Sequence, residues 1–353
     1  MQQHNVNRTK NSALKAEMKA LKEKLSDKSG KIAIITHFNP DGDAIGSSLG
    51  LSRILTRMGH SCSVIVPNDF PEFLKWLPGA DEIITLPGHE TKVAGIIEAS
   101  EILFFVDFND IRRMKKIREI VSRSSAYRVL IDHHPDPVVT VDSVLSDTSV
   151  SSAAELVYRF IVENGLKKYM NKDIAVCLFA GVMTDTGCFS YNSSSPETFT
   201  VVAELLQFKI DKDQIYYRIY DNFSCDRMRL LGYCLNERLE YFPEYRTALI
   251  WLNRDDQEKY HFRTGDSEGF VNYPLSIKGV RFSAFFIEKK DHVKVSFRSK
   301  GNFPVNTFSA GHFNGGGHRN ASGGELYESL EATLEKFRKL LPEYKEQLND
   351  YGD

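Results

Sequence analysis

No stretch of this 353-residue sequence approaches the roughly 18 to 20 consecutive apolar residues that a membrane-spanning helix needs. The polar N-terminal segment has no apolar signal-peptide core either, so a cytoplasmic location is expected. Cysteine is scarce: Cys62, Cys177, Cys188, Cys225 and Cys234 make an odd number and form no CxxC pair, which fits reduced thiols. Cys188 lies near the chemistry described below and is expected to pack there as a small buried hydrophobe. There is no low-complexity tract and no internal repeat. A large excess of either charge is also missing. The formal net charge of -2 argues against a broad basic face that coats long duplex nucleic acid and leaves room for short anionic ligands in a local pocket.

What is present is an ordinary globular composition, 42% hydrophobic and 26% charged. The chain is long enough for two domains, each able to bury a core. Residues 1 to 28 are charged, with Leu14, Met18, Leu21 and Leu25 at helical spacing, which predicts a surface helix docked on the first domain. From Lys31 to about Ile131 short apolar runs alternate with helical patterns. Strands are expected at Lys31–Thr36, Cys62–Val66, Glu101–Val106 and Arg128–Ile131. That order implies a mostly parallel sheet with helices on both faces. A helix is expected over Ala153 to Glu163, followed by the apolar run Asp173 to Met183. Two or three helices follow Pro196, the last ending near Glu240, and the domain junction falls at about 222 to 243. Beyond it, strands are expected at Thr247–Leu252, Val280–Ile287 and His292–Arg298, the last two as a hairpin turning at Lys289-Lys290-Asp291. A glycine-rich run covers Gly311 to Gly324, and a helix covers Ser329 to Leu341.

Ligands of open α/β sheets collect at the carboxyl ends of the strands. Here the first strand runs into His37, Asp41 and Asp43 on a tight loop whose turn is set by Asn39-Pro40 and Gly42, before a helix from Ile45 to Met58. Asp43 in isolation would be a helix cap or a turn residue. The third strand runs into Asp107, the fourth into Asp132-His133-His134, and the later apolar run delivers Thr184-Asp185-Thr186-Gly187. Gathered in one place, Asp41, Asp43, Asp107 and Asp185 would raise one another's pKa unless cations were present. Two divalent ions offset the four charges, and a water between them can ionise near neutral pH. Mixed imidazole and carboxylate ligands without thiolate suit Mn²⁺, with Mg²⁺, Co²⁺ or Fe²⁺ also accommodated. Two ions about 3.5–4 Å apart favour in-line hydrolysis of a phosphoester or phosphoanhydride. Asp132 is expected to orient His133 from behind. His134 is a candidate to contact the scissile phosphate or to protonate the leaving oxygen.

The second glycine-rich stretch includes Gly315-Gly316-Gly317-His318-Arg319 and has the make-up of a phosphate nest, although a tight packing corner needs the same glycines. Arg298, at the end of its strand, offers a bidentate phosphate fork, although strand-end arginines are usually solvated.

Together these residues resemble the DHH phosphoesterase superfamily. The matching motifs, in order, are His37-x-x-Pro40-Asp41-x-Asp43, Asp107, Asp132-His133-His134 and Thr184-Asp185-Thr186-Gly187. Gly315-Gly316-Gly317-His318 with Ala321-Ser322-Gly323 is similar to the signature of the DHH-associated domain. The resemblance implies an α/β catalytic domain over 30–222 after an N-terminal helix (1–29). A helical linker (223–243), a smaller α/β substrate-binding domain (244–342) and a tail (343–353) would follow. It implies two Mn²⁺ ions bridged by Asp107 and Asp185, with His37 and Asp41 completing one site and Asp43 and His133 the other. Arg298, Gly315, Gly316, Gly317, His318 and Arg319 would grip the substrate's phosphate as the second domain closes over the cleft. Ser322, Asn314 and Cys188-Phe189 depart from the usual pattern without removing a ligand, so they bear on substrate preference.

The subgroup that the size and pairing most resemble comprises small cytoplasmic oligoribonucleases that also act on phosphoadenosine phosphate. The expected activity is release of mononucleotides from very short single-stranded RNA and of AMP from phosphoadenosine phosphate, with no membrane partner; a homodimer is compatible with the resemblance. A cyclic-dinucleotide phosphodiesterase is the alternative enzyme, ahead of polyphosphate or pyrophosphate hydrolysis. A nucleotide-binding regulator with a relict site is the alternative outside enzymes, and loss of a ligand would be its sign.

Overall fold

A computed structural model of the chain describes residues 2–26 and 29–350, with side chains from Leu14 onward. The edges of the expected N-terminal and C-terminal segments, residues 1, 27–28 and 351–353, lie outside the described residues. The chain divides into two compact units, Met1–Asn222 and Phe223–Asp353.

In the first unit the strands are β1 (Lys31–Ile35), β2 (Ser61–Val66), β3 (Ile84–Thr85), β4 (Ile102–Val106), β5 (Tyr127–Asp132) and β6 (Ser143–Ser146). All neighbours are parallel, in the order β3-β2-β1-β4-β5-β6. The helices are α1 (Gln2–Ser26), α2 (Gly42–Arg57), α3 (Glu90–Ala99), α4 (Ile117–Val121), α5 (Ala153–Glu163), α6 (Lys172–Asp185), α7 (Pro196–Leu206) and α8 (Lys212–Tyr220).

Apart from Lys31 at the start of β1, the central strands β1 and β4 are apolar and buried because both faces are covered. Ile32 and Ile34 of β1 and Phe104 and Val106 of β4 join a core with α2, α5 and α6. The alternate residues Ala33, Ile35, Leu103 and Phe105 join a second core with α3 and α4. Met18, Leu21 and Leu25 of α1 are buried in the first core, and Ser143 of β6 donates to Glu17 at 2.7 Å, so the N-terminal helix covers the β6 edge. Strands β3 and β6 were not expected.

The strand order reverses between β1 and β4, since the chain leaves β1 toward β2 and β3 and then crosses back to β4. A crevice at the carboxyl ends opens at such a switch point. The residues that follow β1, β4 and β5 are delivered there.

The second unit carries a mixed sheet in the order β11-β12-β10-β9-β8-β7, built from β7 (Leu239–Phe242), β8 (Thr247–Leu252), β9 (Phe282–Glu288), β10 (Val293–Ser299), β11 (Gly316–His318) and β12 (Ala321–Leu326). Its helices are α9 (Cys225–Glu237), α10 (Arg254–Lys259), α11 (Val305–His312), α12 (Leu330–Leu340) and α13 (Lys345–Asn349). Strands β9 and β10 form the expected hairpin, antiparallel from Val293↔Glu288 to Ser299↔Phe282. Residues 223–243, expected as a linker, are α9 and β7. Leu230, Leu231 and Cys234 of α9 pack on Ile250 and Leu252 of β8, so this stretch belongs to the second unit's core.

Candidate active site

The first site loop leaves β1 at Thr36, whose hydroxyl donates to the Val106 carbonyl at 2.9 Å and ties the ends of β1 and β4 together. Asp41 caps α2: its Oδ1 accepts from the Asp43 and Ala44 N–H groups at 3.1 and 3.0 Å. This cap starts the helix at Gly42, earlier than the expected Ile45, so Asp43 sits in the first helical turn and the cap is Asp41. Asp43 is fully buried. Its Oδ2 and Oδ1 accept from the Ala153 and Ala154 N–H groups at 2.6 and 2.9 Å, which fixes the carboxylate at the N-terminus of α5. Neither amide was identified from the sequence, because nothing in the spacing of residues 43 and 153 links them.

α2 and α6 approach closely to place Asp43 beside Asp185. A Cβ at Gly46 would stand 2.5 Å from the Cys177 carbonyl oxygen. One at Gly181 would stand 2.6 Å from the Ala154 Cβ and 2.9 Å from Asp43 Oδ1.

Asp107 follows β4 with φ +65, a left-handed conformation that non-glycine residues rarely adopt and that Asp and Asn tolerate best. Its N–H donates to the Ile131 carbonyl at 3.0 Å, so the turn is pinned to β5. The carboxylate then faces two imidazoles. His37 Nε2 lies 3.5 Å from Oδ2, and His133 Nε2 lies 3.4 Å from Oδ1. His133 Nε2 is also 3.9 Å from Asp43 Oδ2 and 3.6 Å from Asp185 Oδ2.

The structure therefore brings His37, Asp41 and Asp107 into one group and Asp43, Asp107 and His133 into another, each with ligand atoms within 4.8 Å of one another. Asp107 belongs to both. His37, Asp43, Asp107 and His133 are buried, whereas Asp41 is exposed and Asp185 half-exposed. His37 Nε2 and Asp107 Oδ1 make no hydrogen bond although both are buried, an arrangement that costs free energy unless another partner is supplied.

The electrostatics point the same way. Burial pushes the Asp43 carboxyl well above the ordinary carboxylate range, and the charges of Asp107 and Asp185 add to it. Burial alone would depress His133, yet Asp185, Asp107 and Asp43 raise its imidazole well above the usual value. Burial likewise acts to raise Asp107, but the imidazoles of His133 and His37 outweigh it and hold this carboxyl well below its usual range. Protons thus take up charge that a divalent cation would otherwise neutralise. The oxygen and imidazole donors with orphaned buried atoms fit a divalent metal.

One expectation is corrected. Asp132 orients His134 rather than His133: its Oδ1 accepts from His134 Nδ1 at 2.7 Å. Side chains alternate along extended chain, so residues 132 and 134 share a side at the end of β5. His134 Nε2 is left facing Arg113, whose Nη1 lies 3.5 Å away. Arg113 was not singled out from the sequence. Cys188 packs against the first core and burial raises its thiol above the usual value, as for an inert packing residue.

In the second unit, part of the glycine-rich run forms a β-hairpin. Gly316–His318 pairs with Ala321–Gly323. The Gly315 N–H donates to the Ser309 carbonyl at 3.2 Å, and a Cβ at Gly315 would collide with the Gly323 carbonyl. Gly317, at φ +138, leaves no room for a Cβ beside the Ala321 carbonyl. At Gly315 and Gly317 the missing side chain permits close backbone approach, as a tight packing corner requires. His318 is half-buried on β11. The Arg319 guanidinium donates to the Asn302 carbonyl at 3.0 Å. Arg298 lies on β10 opposite Ser283 and Ala321, and its Nε is buried without a hydrogen bond.

Residues 31–182 match the DHH family, N-terminal domain, and residues 256–349 match the DHHA1 domain. The chain is 28% identical to the bifunctional oligoribonuclease and PAP phosphatase NrnA of Bacillus subtilis, over 85% of this chain and 91% of that protein. It is 30% identical to the probable bifunctional oligoribonuclease and PAP phosphatase NrnA of Streptococcus mutans, over the same shares of the two chains, 85% and 91%. Among solved structures, an exopolyphosphatase-related protein from Bacteroides fragilis is similar with a TM-score of 0.90 and 41% identity, over 95% of this chain and 98% of that one. Both domain matches, the near full-length relatives and the buried His/Asp cluster lead to one conclusion: the chain belongs to the DHH family.

Proposed function

We propose that this protein is a metal-dependent phosphoesterase that hydrolyses short oligoribonucleotides to mononucleotides and 3'-phosphoadenosine 5'-phosphate to AMP. The observation that carries the reading is the double role of Asp107, whose two oxygens face His37 on one side and His133 on the other. The relatives named as oligoribonuclease and PAP phosphatase supply the substrate class.

The residues fit two divalent cations, Mn²⁺ in preference to Mg²⁺, Co²⁺ or Fe²⁺, which when bound supply Lewis acidity toward the phosphate and acidify water near neutral pH. His37 and Asp41 would hold one ion and Asp43 and His133 the other, with Asp107 and Asp185 shared. Asp132 fixes the His134 ring through Nδ1, so that Nε2 is the atom presented to the phosphate or to the leaving oxygen. Arg298, Gly315, Gly316, Gly317, His318 and Arg319 of the second unit would recognise a substrate phosphate; the buried, unbonded Nε of Arg298 supports this for that residue. No helix among the described residues is long and apolar enough to cross a membrane. We assign the protein to the cytoplasm, where its five cysteines would remain reduced.

The test is hydrolysis by the purified chain of a labelled diadenylate, 3'-phosphoadenosine 5'-phosphate and cyclic di-AMP, with and without Mn²⁺. Release of AMP from the first two, dependent on the metal, is expected. Preferential cleavage of the cyclic dinucleotide would replace the substrate assignment. No turnover of any of them would overturn the enzymatic reading.

A further inference from the structure

Arg113 stands on a short 3-10 turn, Ile111–Met114, that follows β4 and Asp107. Three contacts set its position. The Arg113 carbonyl accepts from the Phe38 N–H at 2.7 Å, which ties the turn to the loop bearing His37 and Asp41. Met114, next in the chain, is fully buried in the core beneath α3 and α4. Asp110 caps the turn by accepting from the Arg112 N–H at 2.8 Å.

The two adjacent arginines are treated differently. Arg112 turns back onto Asp110, with its Nε 2.7 Å from the carboxylate, and is largely exposed. Arg113 is half-buried, and among the described residues no carboxylate lies within ion-pair distance of its guanidinium. Its Nη1 instead lies 3.5 Å from His134 Nε2. The other nitrogen of that ring donates to Asp132. A guanidinium and an imidazole edge thus meet beside the carboxylate cluster, since His134 Nδ1 is itself 3.8 Å from Asp107 Oδ1. A planar fork of N–H donors beside an imidazole nitrogen matches an oxygen of a tetrahedral phosphate.

We propose that Arg113 contacts a non-bridging oxygen of the scissile phosphate, side by side with His134. The inference rests on the phosphoesterase reading above and adds a cationic side chain of the first unit to the metal-centred chemistry. Asp132 and the Phe38 amide are then the positioning elements, one for the imidazole and one for the turn that carries the guanidinium. The competing account is that Arg113 only offsets the negative charge of the aspartates.

The two accounts separate in the Mn²⁺-loaded full-length protein. Arg113→Ala should lower kcat/KM on labelled diadenylate by about 10²–10³-fold, the scale of one lost transition-state contact. Added guanidinium chloride at concentrations below unfolding should restore part of that loss. Arg113→Lys should retain intermediate activity, because it keeps the charge and loses the fork. AMP binding measured by calorimetry should weaken about tenfold in Arg113→Ala, the effect of one charge-assisted contact, while Mn²⁺ affinity stays within about twofold. Activity of Arg113→Ala within about threefold of the parent would overturn the proposal. So would tighter Mn²⁺ binding with no guanidinium rescue, the signature of simple charge balance. If the parent protein binds AMP but turns over none of the substrates, the functional reading fails, and the AMP affinity of Arg113→Ala still decides whether Arg113 touches phosphate. If the parent neither binds AMP nor turns over substrate, both fail.

Discussion

His37 and Asp107 leave neighbouring strands at the switch point of the sheet, and Nε2 of the one lies 3.5 Å from Oδ2 of the other. That spacing is longer than a hydrogen bond, and the imidazole atom is buried with no hydrogen-bond partner. Two buried groups held this way are set for a common third partner.

Asp107→Asn is the sharpest substitution at this pair. Asn tolerates the left-handed backbone that Asp107 adopts, and it keeps the side-chain volume. Thermal melting should therefore show a folded protein, while turnover of diadenylate with Mn²⁺ falls by more than about 10³-fold. Asp107→Ala should abolish turnover as well. Residual activity near the parent's would remove Asp107 from its shared role.

Asp132→Asn tests which imidazole this carboxylate serves. It should lower kcat by about 10–100-fold, the usual cost of losing an orienting partner, and leave Mn²⁺ affinity unchanged. If Asp132 served His133, a proposed metal ligand, calorimetry would instead show weakened Mn²⁺ binding.

The raised groups make metal binding pH-dependent in a defined direction. Asp43 and His133 hold protons to higher pH than usual in the metal-free protein, and both must lose them to act as ligands. Mn²⁺ affinity should therefore rise with pH until both groups are deprotonated and weaken as pH falls. Calorimetry in buffers of different ionisation enthalpy should show net proton release on binding. Proton uptake would contradict it.

The glycines between α2 and α6 separate stability from chemistry. Gly46→Ala places a methyl group 2.5 Å from a carbonyl oxygen and should cost about 1–3 kcal/mol in urea unfolding. Gly181→Ala should cost a similar amount and also lower kcat, because the added Cβ falls 2.9 Å from Asp43 Oδ1. Equal activity losses in the two variants at matched stability would contradict the link to Asp43.

The strand-end carboxylates were legible in the sequence because buried parallel strands carry apolar runs: Asp107 follows the apolar run of β4, and Asp132 closes β5 after Val129, Leu130 and Ile131. The edge strands carried no such mark. Ile84–Thr85 is two residues long, and Ser143–Ser146 holds only Val144 and Leu145 between two serines, with Val144 exposed. Arg113 was invisible because a single 3-10 turn has no period, and its meaning comes from the fold bringing it to His134. The glycine-rich run was ambiguous for a physical reason: a phosphate nest and a close-packed hairpin both require backbone without a Cβ.

The most direct test of the central claim is a Mn²⁺ titration of the chelator-treated protein, with AMP release from diadenylate and from 3'-phosphoadenosine 5'-phosphate followed alongside bound metal. The account predicts no turnover before metal is added and full activity only as a second ion binds per chain. Full turnover with the metal stripped away, or none at saturation, would contradict it.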